Sequence, residues 1–230
     1  RIPFESEKAQ EWNRNIFKHI KDEAVAETQQ LAIEKGECPD MEGTGRRNSH
    51  LLAIAPNANS SIIASTSPSI EPSKANAYTH RTRAGSHLVK NPYLEEELNK
   101  VDKNDAKTWT SIITNSGSVQ HLKFLSDEIK EIFKTAIEIN QLEIVQQAAD
   151  RQEYLCQGQS LNVFLASGAK RGDLHKIHYN AWKLGCKGLY YLRTESTNKA
   201  ENVSVKVVRD ALKDYETQAM TEAECIACQG

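Results

Sequence analysis

The chain has 230 residues, of which 39% are hydrophobic, and this is enough for a sizeable core. Its formal net charge of -2 gives no broad basic field, so we expect neither DNA nor an acidic membrane as a partner. No apolar run approaches the ~20 residues of a membrane-spanning helix, and the first residues lack the pattern of an export signal. The odd number of cysteines, five, favours a reducing, cytoplasmic setting.

The first predicted element is a helix from Glu7 to Lys35, with Ser6 as its N-cap. Gly36 and Pro39 end it. Its apolar residues recur at four-residue steps: Trp12, Ile16, Ile20 and Ala24. Because the chain opens on Arg1 without a methionine and runs directly into this helix, we expect a piece cut from a longer polypeptide or a processed chain.

The centre of the chain predicts strands and a hairpin. An unbroken apolar run at 51–55 is typical of a strand buried on both faces, and a small polar loop follows it. Residues 78–82 and 86–89 flank a turn that contains Gly85, which indicates a β-hairpin.

Helices and isolated strands alternate over the rest of the chain. We predict helices at 93–98, 127–138 (capped by Ser126), 142–154, 173–184 (capped by Asp173) and 203–215, and buried strands at 161–165 and 188–192. This alternation predicts an α/β fold with a parallel sheet or barrel, in which active groups gather where strands give way to loops. The strands are too few for a closed barrel, so unpaired edges would require a complementary piece.

The polar loop after the first strand is a candidate phosphate site. Successive backbone amides at a helix start, with nearby hydroxyl and amide side chains, can cradle an anion. The alternative is a capping loop with no ligand, which is common after a strand. The residues concerned are Pro56, Asn57, Ala58, Asn59, Ser60 and Ser61.

Two adjacent tyrosines, Tyr190 and Tyr191, lie in the last predicted strand. Neighbours in a strand face opposite sides, so both rings cannot lie in one core face without distortion. One interpretation is aromatic packing with satisfied hydroxyls, which the spacing alone favours. The other is a pair of stacked, oxidisable rings that pass an electron and a proton between them.

The chain ends with Cys225 and Cys228, two thiols close enough to form a disulfide. They could exchange disulfides, supply half of a metal site or be inert. Because Cys38, Cys156 and Cys186 are scattered singly, zinc is the weaker reading.

Other potential ligands and aromatic residues have simpler interpretations. His175 and His178, three apart on a predicted helix, are expected to be surface or capping groups rather than metal ligands. Trp109 and Trp182 are expected in the core.

Several segments together resemble the large, catalytic subunit of class I ribonucleoside-diphosphate reductase, in matching order and at similar distances. They are residues 47–51, 56–61, 69–72, 159–162 and 188–193, together with the terminal cysteine pair. The resemblance implies the C-terminal half of a ten-stranded α/β barrel at 1–196, followed by a helix and a flexible redox-active tail at 197–230.

The resemblance also implies roles for the three candidate sites. The loop Pro56–Ser61 would hold the diphosphate of a ribonucleoside diphosphate. Tyr190 and Tyr191 would relay a radical from a metal-containing small subunit, so the chain itself needs no bound metal. Cys225 and Cys228 would reduce the active-site disulfide and be reduced again by thioredoxin or glutaredoxin.

The radical-bearing cysteine of the family has no counterpart in this chain. By the resemblance, it lies upstream, so we expect the chain to be inactive without an N-terminal piece of the large subunit. Cys38, Cys156 and Cys186 match no family role and are interpreted as buried or incidental thiols. The segment at 39–46 is shorter than in many members, which suggests a compact, viral version.

Two other protein classes stay open as alternatives. An independent thiol-disulfide protein would carry its cysteine pair at a helix start, whereas this pair is terminal, and the acidic Glu222 and Glu224 disfavour a thiolate. In a non-catalytic interaction fragment, the tyrosines and the serine loop would serve only packing and capping.

Overall fold

The computed structural model describes residues 1–64, 66–82 and 85–194. The helices are α1 (Glu7–Lys35), α2 (Ala58–Ile63), α3 (Pro92–Lys100), α4 (Ala106–Thr114), α5 (Asp127–Ile132), α6 (Gln141–Gln152) and α7 (Arg171–Lys183). The strands are β1 (Ala77–Thr82), β2 (Gly85–Lys90), β3 (Val163–Leu165) and β4 (Leu192–Thr194). No helix in this part of the chain is long and apolar enough to cross a membrane.

The described residues form two compact units. Unit A contains residues 1–73 and 136–194, and unit B contains residues 74–135. The predicted helix at 203–215 and the predicted boundary after residue 196 lie outside the described residues and stay predictions.

Helix α1 in unit A begins and ends where the sequence predicts. The Ser6 hydroxyl accepts a hydrogen bond from the Ala9 amide at 3.2 Å, which caps the first turn. Gly36 ends the helix with φ +79°, and its amide donates to the Ala32 carbonyl at 2.9 Å. Local capping chemistry therefore determines both ends.

The packing of α1 differs from the simple expectation for an apolar stripe. The helix packs on α6 through largely polar contacts: Asn13 donates to the Gln147 carbonyl at 2.8 Å, and Arg14 pairs with Asp150 at 2.7 Å. The four-residue apolar repeat does not form this contact with α6, since three of its members are exposed: Trp12, Ile16 and Ile20.

Unit A also contains the parallel strands. Strands β3 and β4 pair in parallel, with Val163 opposite Leu192 and Leu165 opposite Thr194, and α7 connects them. An isolated parallel bridge joins Ile54 to Gln159. Parallel pairing separated by a helix is the βαβ arrangement that the sequence predicts. The half-barrel that the resemblance implies stays a prediction.

The parallel strands of unit A have different bounds from those that the sequence predicts. Of the run at 51–55, which was predicted as a buried strand, only Ile54 forms a bridge, and Ala53 and Ala55 are exposed. The strand predicted at 161–165 begins at Val163, and that predicted at 188–192 begins at Leu192. Hydrogen bonding continues before both strands, but it is too irregular to form longer ones.

Helix α6 lies at the centre of the unit A core. Ile144 and Ala148 pack with Ile139 and Leu161 in one cluster. On a neighbouring face of α6, Val145 packs with three buried side chains, Val163, Ile177 and Ala181. Because β3 and α7 supply these last three side chains, α6 connects the helical and strand layers.

Unit B is built on the predicted hairpin. Strands β1 and β2 pair antiparallel, with Ala77 opposite Lys90 and Thr82 opposite Gly85. The adjacent core contains Trp109, which is 2% exposed and donates its indole N–H to the Asn104 side chain at 2.7 Å. The other buried members of this core are Ala77, Leu94, Leu98, Ile112, Val119, Leu122, Leu125 and Phe133.

Two helices of unit B differ from the sequence expectation. Helix α4 was not predicted, although Asp105 caps it by accepting from the Thr108 amide at 2.7 Å. Helix α5 ends at Ile132 rather than at residue 138. The next carbonyl, that of Phe133, accepts from the buried side-chain amide of Asn76 at 2.7 Å, so a tertiary contact directs the chain away from the helix.

Candidate functional site

The two tyrosines lie immediately before β4, outside the regular strand. The Tyr190 amide donates to the Leu161 carbonyl at 2.8 Å, and the Tyr191 carbonyl accepts from the Val163 amide at 3.0 Å. These bonds extend the β3–β4 pairing and fix the backbone of both residues. Their rings are not obliged to alternate as they would in a regular strand.

The rings of Tyr190 and Tyr191 lie side by side, with centroids 4.0 Å apart and planes at 48°. They are 46% and 50% exposed, so neither serves as a core residue. The Tyr191 hydroxyl raises the pKa of Tyr190 by hydrogen bonding, and its charge adds to the effect. The Arg193 guanidinium lies 4.9 Å from the centre of the Tyr191 ring. The arrangement is an exposed, hydrogen-bonded phenol pair.

The candidate phosphate loop leads directly into α2. The Asn57 amide donates to the Pro68 carbonyl at 3.0 Å, which closes the loop. The first helical bond runs from the Ser61 amide to the Asn57 carbonyl at 2.9 Å. The amides of residues 58–60 therefore precede the first intrahelical bond and have no acceptor within the helix. Pro56, Asn57 and Ser60 are exposed, whereas Ser61 is buried.

One segment, residues 158–163, hydrogen-bonds to the backbone beside both candidate sites. The Ile54 amide donates to the Gly158 carbonyl at 3.2 Å, and the Ser160 amide donates to the Ile54 carbonyl at 2.9 Å. Two residues after Ile54 the loop begins, while the same segment holds Tyr190 through Leu161. The loop and the tyrosines thus extend from two neighbours of a common backbone segment.

A buried polar cluster supports this segment, and sequence reasoning did not predict it. The Asn162 side-chain amide donates to Oε1 of Glu71, and both residues are buried. Oε2 of Glu71 and Oδ1 of Asn162 have no hydrogen-bond partner. The Arg151 Nε donates to the Gln159 side chain at 2.7 Å. The cluster joins two of the segments that carry the family resemblance, 69–72 and 159–162.

Arg151 is the largest charged side chain in this cluster and is 2% exposed. Burial lowers the pKa of Arg151 to about 10, although the nearby Cys186 and Glu71 side chains oppose the shift. A buried guanidinium is costly unless it is hydrogen-bonded, and Gln159 supplies one such bond. In the sequence, the only indication of the contact between Arg151 and Gln159 was the presence of polar residues in the segment 159–162.

The cysteines fall into two groups. Cys225 and Cys228 lie outside the described residues, so their predicted exchange role stays a prediction. Cys38 and Cys186 are half-buried, whereas Cys156 is exposed, so of the two interpretations, buried or incidental, only the incidental one fits Cys156. Among the described residues, no group of three or more His, Cys, Asp or Glu side chains could hold a metal ion.

The aromatic and histidine side chains of α7 lie at the surface. Trp182 is 74% exposed, so its predicted place in the core is wrong. Its ring centroid lies 5.8 Å from that of Tyr179, which also stacks on His175 at 6.0 Å. His178 contacts the Leu174 carbonyl at 2.9 Å.

Comparison with known proteins gives consistent matches. Residues 40–192 match the ribonucleotide reductase barrel domain. A Frog virus 3 (isolate Goorha) protein, provisionally named a ribonucleoside-diphosphate reductase large subunit, is 50% identical over 230 residues, covering 100% of this chain and 39% of the relative. The ribonucleoside-diphosphate reductase large subunit of Danio rerio is 34% identical over 97% of this chain and 32% of its own length.

A solved structure gives the same result. The Actinobacillus ureae class Id ribonucleotide reductase alpha subunit superposes with a TM-score of 0.79 at 42% identity, over 86% of this chain and 36% of that chain. The chain thus spans between about a third and two fifths of the length of these three relatives. With the barrel-domain match covering most of its residues, the chain belongs to the ribonucleotide reductase family and corresponds to part of the large, or alpha, subunit.

Proposed function

We propose that this chain is part of the large subunit of a ribonucleoside-diphosphate reductase. The complete enzyme would reduce ribonucleoside diphosphates to deoxyribonucleoside diphosphates for DNA synthesis by a radical mechanism. The names of the relatives support the reaction. The observation that carries the proposal is the ring pair Tyr190–Tyr191, at 4.0 Å between centroids and half exposed.

The tyrosine pair would serve as a radical relay. A phenol that loses one electron also releases its proton, so transfer between the rings moves one electron and one proton together. When one ring is a neutral tyrosyl radical, it takes this hydrogen equivalent from the other and becomes a phenol again. The hydrogen bond that raises the pKa of Tyr190 supports such a path. A metal-containing small subunit would supply the radical.

The loop Pro56–Ser61 would hold the substrate diphosphate. Amides at the start of a helix point outward and carry partial positive charge, which favours a phosphate oxygen. The amides of residues 58–60 have no acceptor within α2, and the exposed Ser60 lies among them. These features support the assignment. Binding of inorganic diphosphate would test it, with loss on Ser60→Pro as the expected result.

The tail pair would deliver reducing equivalents. Cys225 and Cys228 together lose two electrons and two protons when they form a disulfide, and the active-site disulfide gains both to become two thiols. Thioredoxin or glutaredoxin would then restore the tail dithiol. The radical-bearing cysteine would lie on an N-terminal piece of the large subunit, which makes this chain inactive alone.

The relay is tested by replacing each tyrosine in the enzyme reconstituted from this chain, the complementary large-subunit piece and the small subunit. Tyr190→Phe and Tyr191→Phe each remove one phenolic proton but keep the ring, so we expect turnover to fall to background. Tyr93→Phe is the matched control, because Tyr93 is 60% exposed and lies in unit B. Unchanged turnover in either relay variant would sink the relay.

The same reconstituted enzyme tests the tail. The double substitution Cys225→Ser with Cys228→Ser is expected to abolish turnover with thioredoxin but to spare turnover with a small dithiol, which reaches the active-site disulfide directly. Equal activity with both reductants would refute the delivery role.

A further inference from the structure

Asn162 lies between the two backbone groups that hold the tyrosine pair. The peptide group before its Cα supplies the Leu161 carbonyl, which accepts from the Tyr190 amide at 2.8 Å. The peptide group after it supplies the Val163 amide, which donates to the Tyr191 carbonyl at 3.0 Å. Each peptide group is planar and moves as a unit about the Cα that joins them. A backbone rotation at Asn162 would therefore displace the anchors of both tyrosines.

The side chain of Asn162 is held in turn by Glu71. Asn162 is 8% exposed, and Glu71 is 4% exposed. The Asn162 side-chain amide donates to Oε1 of Glu71, a residue 91 positions away in the sequence. A satisfied hydrogen bond between buried side chains makes the surrounding core more rigid. The bond therefore restrains the residue on which both tyrosine anchors depend.

Glu71 lies in a segment whose backbone is fixed on both sides. Three residues before it, the Pro68 carbonyl accepts from the Asn57 amide at 3.0 Å, which closes the candidate phosphate loop. Two residues after it, the Ser73 carbonyl accepts from the Ala136 amide at 2.9 Å. The carboxylate thus extends from a fixed backbone, and it can hold its partner in a fixed place.

Stability alone does not explain this buried pair. Among the described residues, Oε2 of Glu71 and Oδ1 of Asn162 have no hydrogen-bond partner, although both atoms are buried. A buried polar atom without a partner costs free energy, and two apolar side chains of similar size would avoid that cost. In some proteins such polar groups are kept because they select one arrangement of the core. Here the arrangement to be selected is that of the tyrosine anchors.

We propose that Glu71 and Asn162 are positioning residues for the tyrosine pair. Their hydrogen bond holds the backbone at Asn162, and this backbone keeps the rings of Tyr190 and Tyr191 at their 4.0 Å separation. The two residues act through the peptide groups that anchor the tyrosines. The inference rests on the proposed function, because the radical relay is what makes the relative position of the two rings matter.

Hydrogen exchange at single amides of the complete 230-residue chain tests this positioning, with mass spectrometry as the readout. Glu71→Ala removes the acceptor and should raise the exchange rates of the Tyr190 and Val163 amides about tenfold or more. Glu71→Gln keeps an oxygen for the Asn162 amide, so we expect rates within about twofold of the wild-type rates. Because glutamine is uncharged, this variant also separates the hydrogen bond from the attraction between Glu71 and the buried Arg151.

A control variant separates positioning from a general loss of stability. Thr28→Val removes another buried hydrogen bond of unit A, in which the Thr28 hydroxyl donates to the Asn48 side chain at 3.1 Å. That bond anchors neither tyrosine. The Tyr190 and Val163 rates, each divided by the rates of the α6 amides, should therefore stay within about twofold of the wild-type ratio.

The titration of the tyrosine hydroxyls gives a second readout, which a general loss of stability would not change. The hydrogen bond with Tyr191 raises the pKa of Tyr190, and the charge of Arg193, which acts in the opposite direction, is present in every variant. In Glu71→Ala the pKa of Tyr190 should fall toward the ordinary value of tyrosine, whereas Glu71→Gln should keep it raised. NMR of the chain labelled with ¹³C at tyrosine Cζ measures this pKa, and Tyr190→Phe assigns the signal.

Three results would overturn the proposal. The first is unchanged exchange at Tyr190 and Val163 in Glu71→Ala. The second is equal acceleration in Glu71→Ala and Glu71→Gln, since the charge rather than the hydrogen bond would then be the cause. The third is an acceleration that includes the α6 amides to the same degree. If Glu71→Ala does not fold, Asn162→Ser replaces it with the same expected results, and failure of both to fold would make the pair a folding requirement and also refute the proposal.

The proposed function can fail separately, because exchange and titration need no reductase activity. If Glu71→Ala releases the tyrosine anchors but Tyr190→Phe and Tyr191→Phe leave turnover of the reconstituted enzyme unchanged, the positioning pair stands and the relay falls. If the two phenylalanine variants lose turnover but Glu71→Ala leaves the anchors protected, the relay stands and the positioning pair falls.

Discussion

Unit B buries its tryptophan, whereas unit A leaves both of its own largely in solvent. In unit B, Trp109 is 2% exposed and lies in a core with Leu94 and Leu98. In unit A, Trp182 is 74% exposed, and Trp12 is 53% exposed. The same residue type thus packs a core in one unit and forms surface in the other.

This difference follows the distribution of the candidate sites. The tyrosine pair and the candidate phosphate loop both lie in unit A, and so do the exposed Trp12, Ile16 and Ile20 of α1. Contiguous apolar patches on a protein surface usually mark contact sites. Unit A therefore combines the candidate sites with exposed tryptophan side chains, whereas the tryptophan of unit B is part of its core.

The largest test of this comparison replaces one tryptophan in each unit. We expect Trp109→Ala to lower the free energy of unfolding by about 3–5 kcal/mol, because it empties a buried site and removes the hydrogen bond to Asn104. Trp182→Ala should change it by no more than about 0.5 kcal/mol, because the side chain is mostly in solvent. Urea unfolding followed by circular dichroism measures both.

Equal losses for the two variants would break the comparison. They would mean that Trp182 is buried in the protein in solution and that unit A is covered more fully than its exposure indicates. A small loss for Trp109→Ala alone would mean that the unit B core does not control the transition.

A second test compares two glycines with nearly the same backbone conformation. Gly117 in unit B has φ +82°, and a Cβ there would lie 2.6 Å from the Cα of Ala75. Gly185 in unit A has φ +83° with nothing within 4 Å of a Cβ. Both alanine variants incur backbone strain, but only Gly117→Ala adds a clash with the backbone. We expect losses of about 2–4 kcal/mol for Gly117→Ala and about 1 kcal/mol for Gly185→Ala.

Thermal unfolding of the two alanine variants, measured side by side, checks this difference. A loss for Gly185→Ala as large as that for Gly117→Ala would show that the end of α7 is more crowded than the geometry indicates. The matched φ values remove conformational preference as an explanation for any difference that is found.

The elements that the sequence predicts well have local determinants. Helix α1 has its cap at Ser6 and its stop at Gly36, so both of its ends follow from nearby residues. The hairpin of β1 and β2 follows from two extended runs around Gly85. Helix α4 has the same kind of cap, Asp105, and could have been found from it.

The features that were not predicted depend on distant contacts. Periodicity predicts that Trp12, Ile16 and Ile20 share a helix face, but it does not tell which face packs on α6. Likewise, α5 ends early because the Phe133 carbonyl bonds to Asn76, 57 residues away in sequence. Such contacts are properties of the folded chain and leave no local signal.

The candidate site shows the same division. The adjacent tyrosines and the polar loop were visible in the sequence as short motifs. The structure adds the geometry of the two tyrosine rings and shows that the loop leads into helix α2. The buried bond between Asn162 and Glu71 joins residues 91 apart, so neither motif alone indicates it. The two motifs could be found in the sequence, but the buried cluster beside them could not.

The three cysteines in the described part of the chain all lie in unit A. Two of them, Cys156 and Cys186, give the smallest expected effect. Limited burial acts to raise the pKa of the Cys156 thiol, but hydrogen bonds from the Leu52 and Leu51 amides, each at 3.1 Å from the sulfur, outweigh it and leave the pKa lowered. Burial raises the pKa of the Cys186 thiol, which the Arg151 guanidinium only partly offsets. The reactivities of the two thiols therefore test whether unit A is accessible to solvent only at its surface or also around Cys186.

Alkylation with iodoacetamide, mapped by mass spectrometry of the cysteine peptides, measures this difference. The thiolate is the reactive form, so the thiol with the lower pKa and greater exposure reacts first as pH rises. We expect Cys156 to react roughly tenfold or more faster than Cys186 near pH 8. The rate at Cys156 should also stop rising at a lower pH than the rate at Cys186, because its thiol has the lower pKa. Cys156→Ser should remove the fast phase and leave the Cys186 rate unchanged. Similar rates for both thiols would show that Cys186 is as accessible to the reagent as the exposed Cys156. The two cysteines would then not distinguish the surface of unit A from its core.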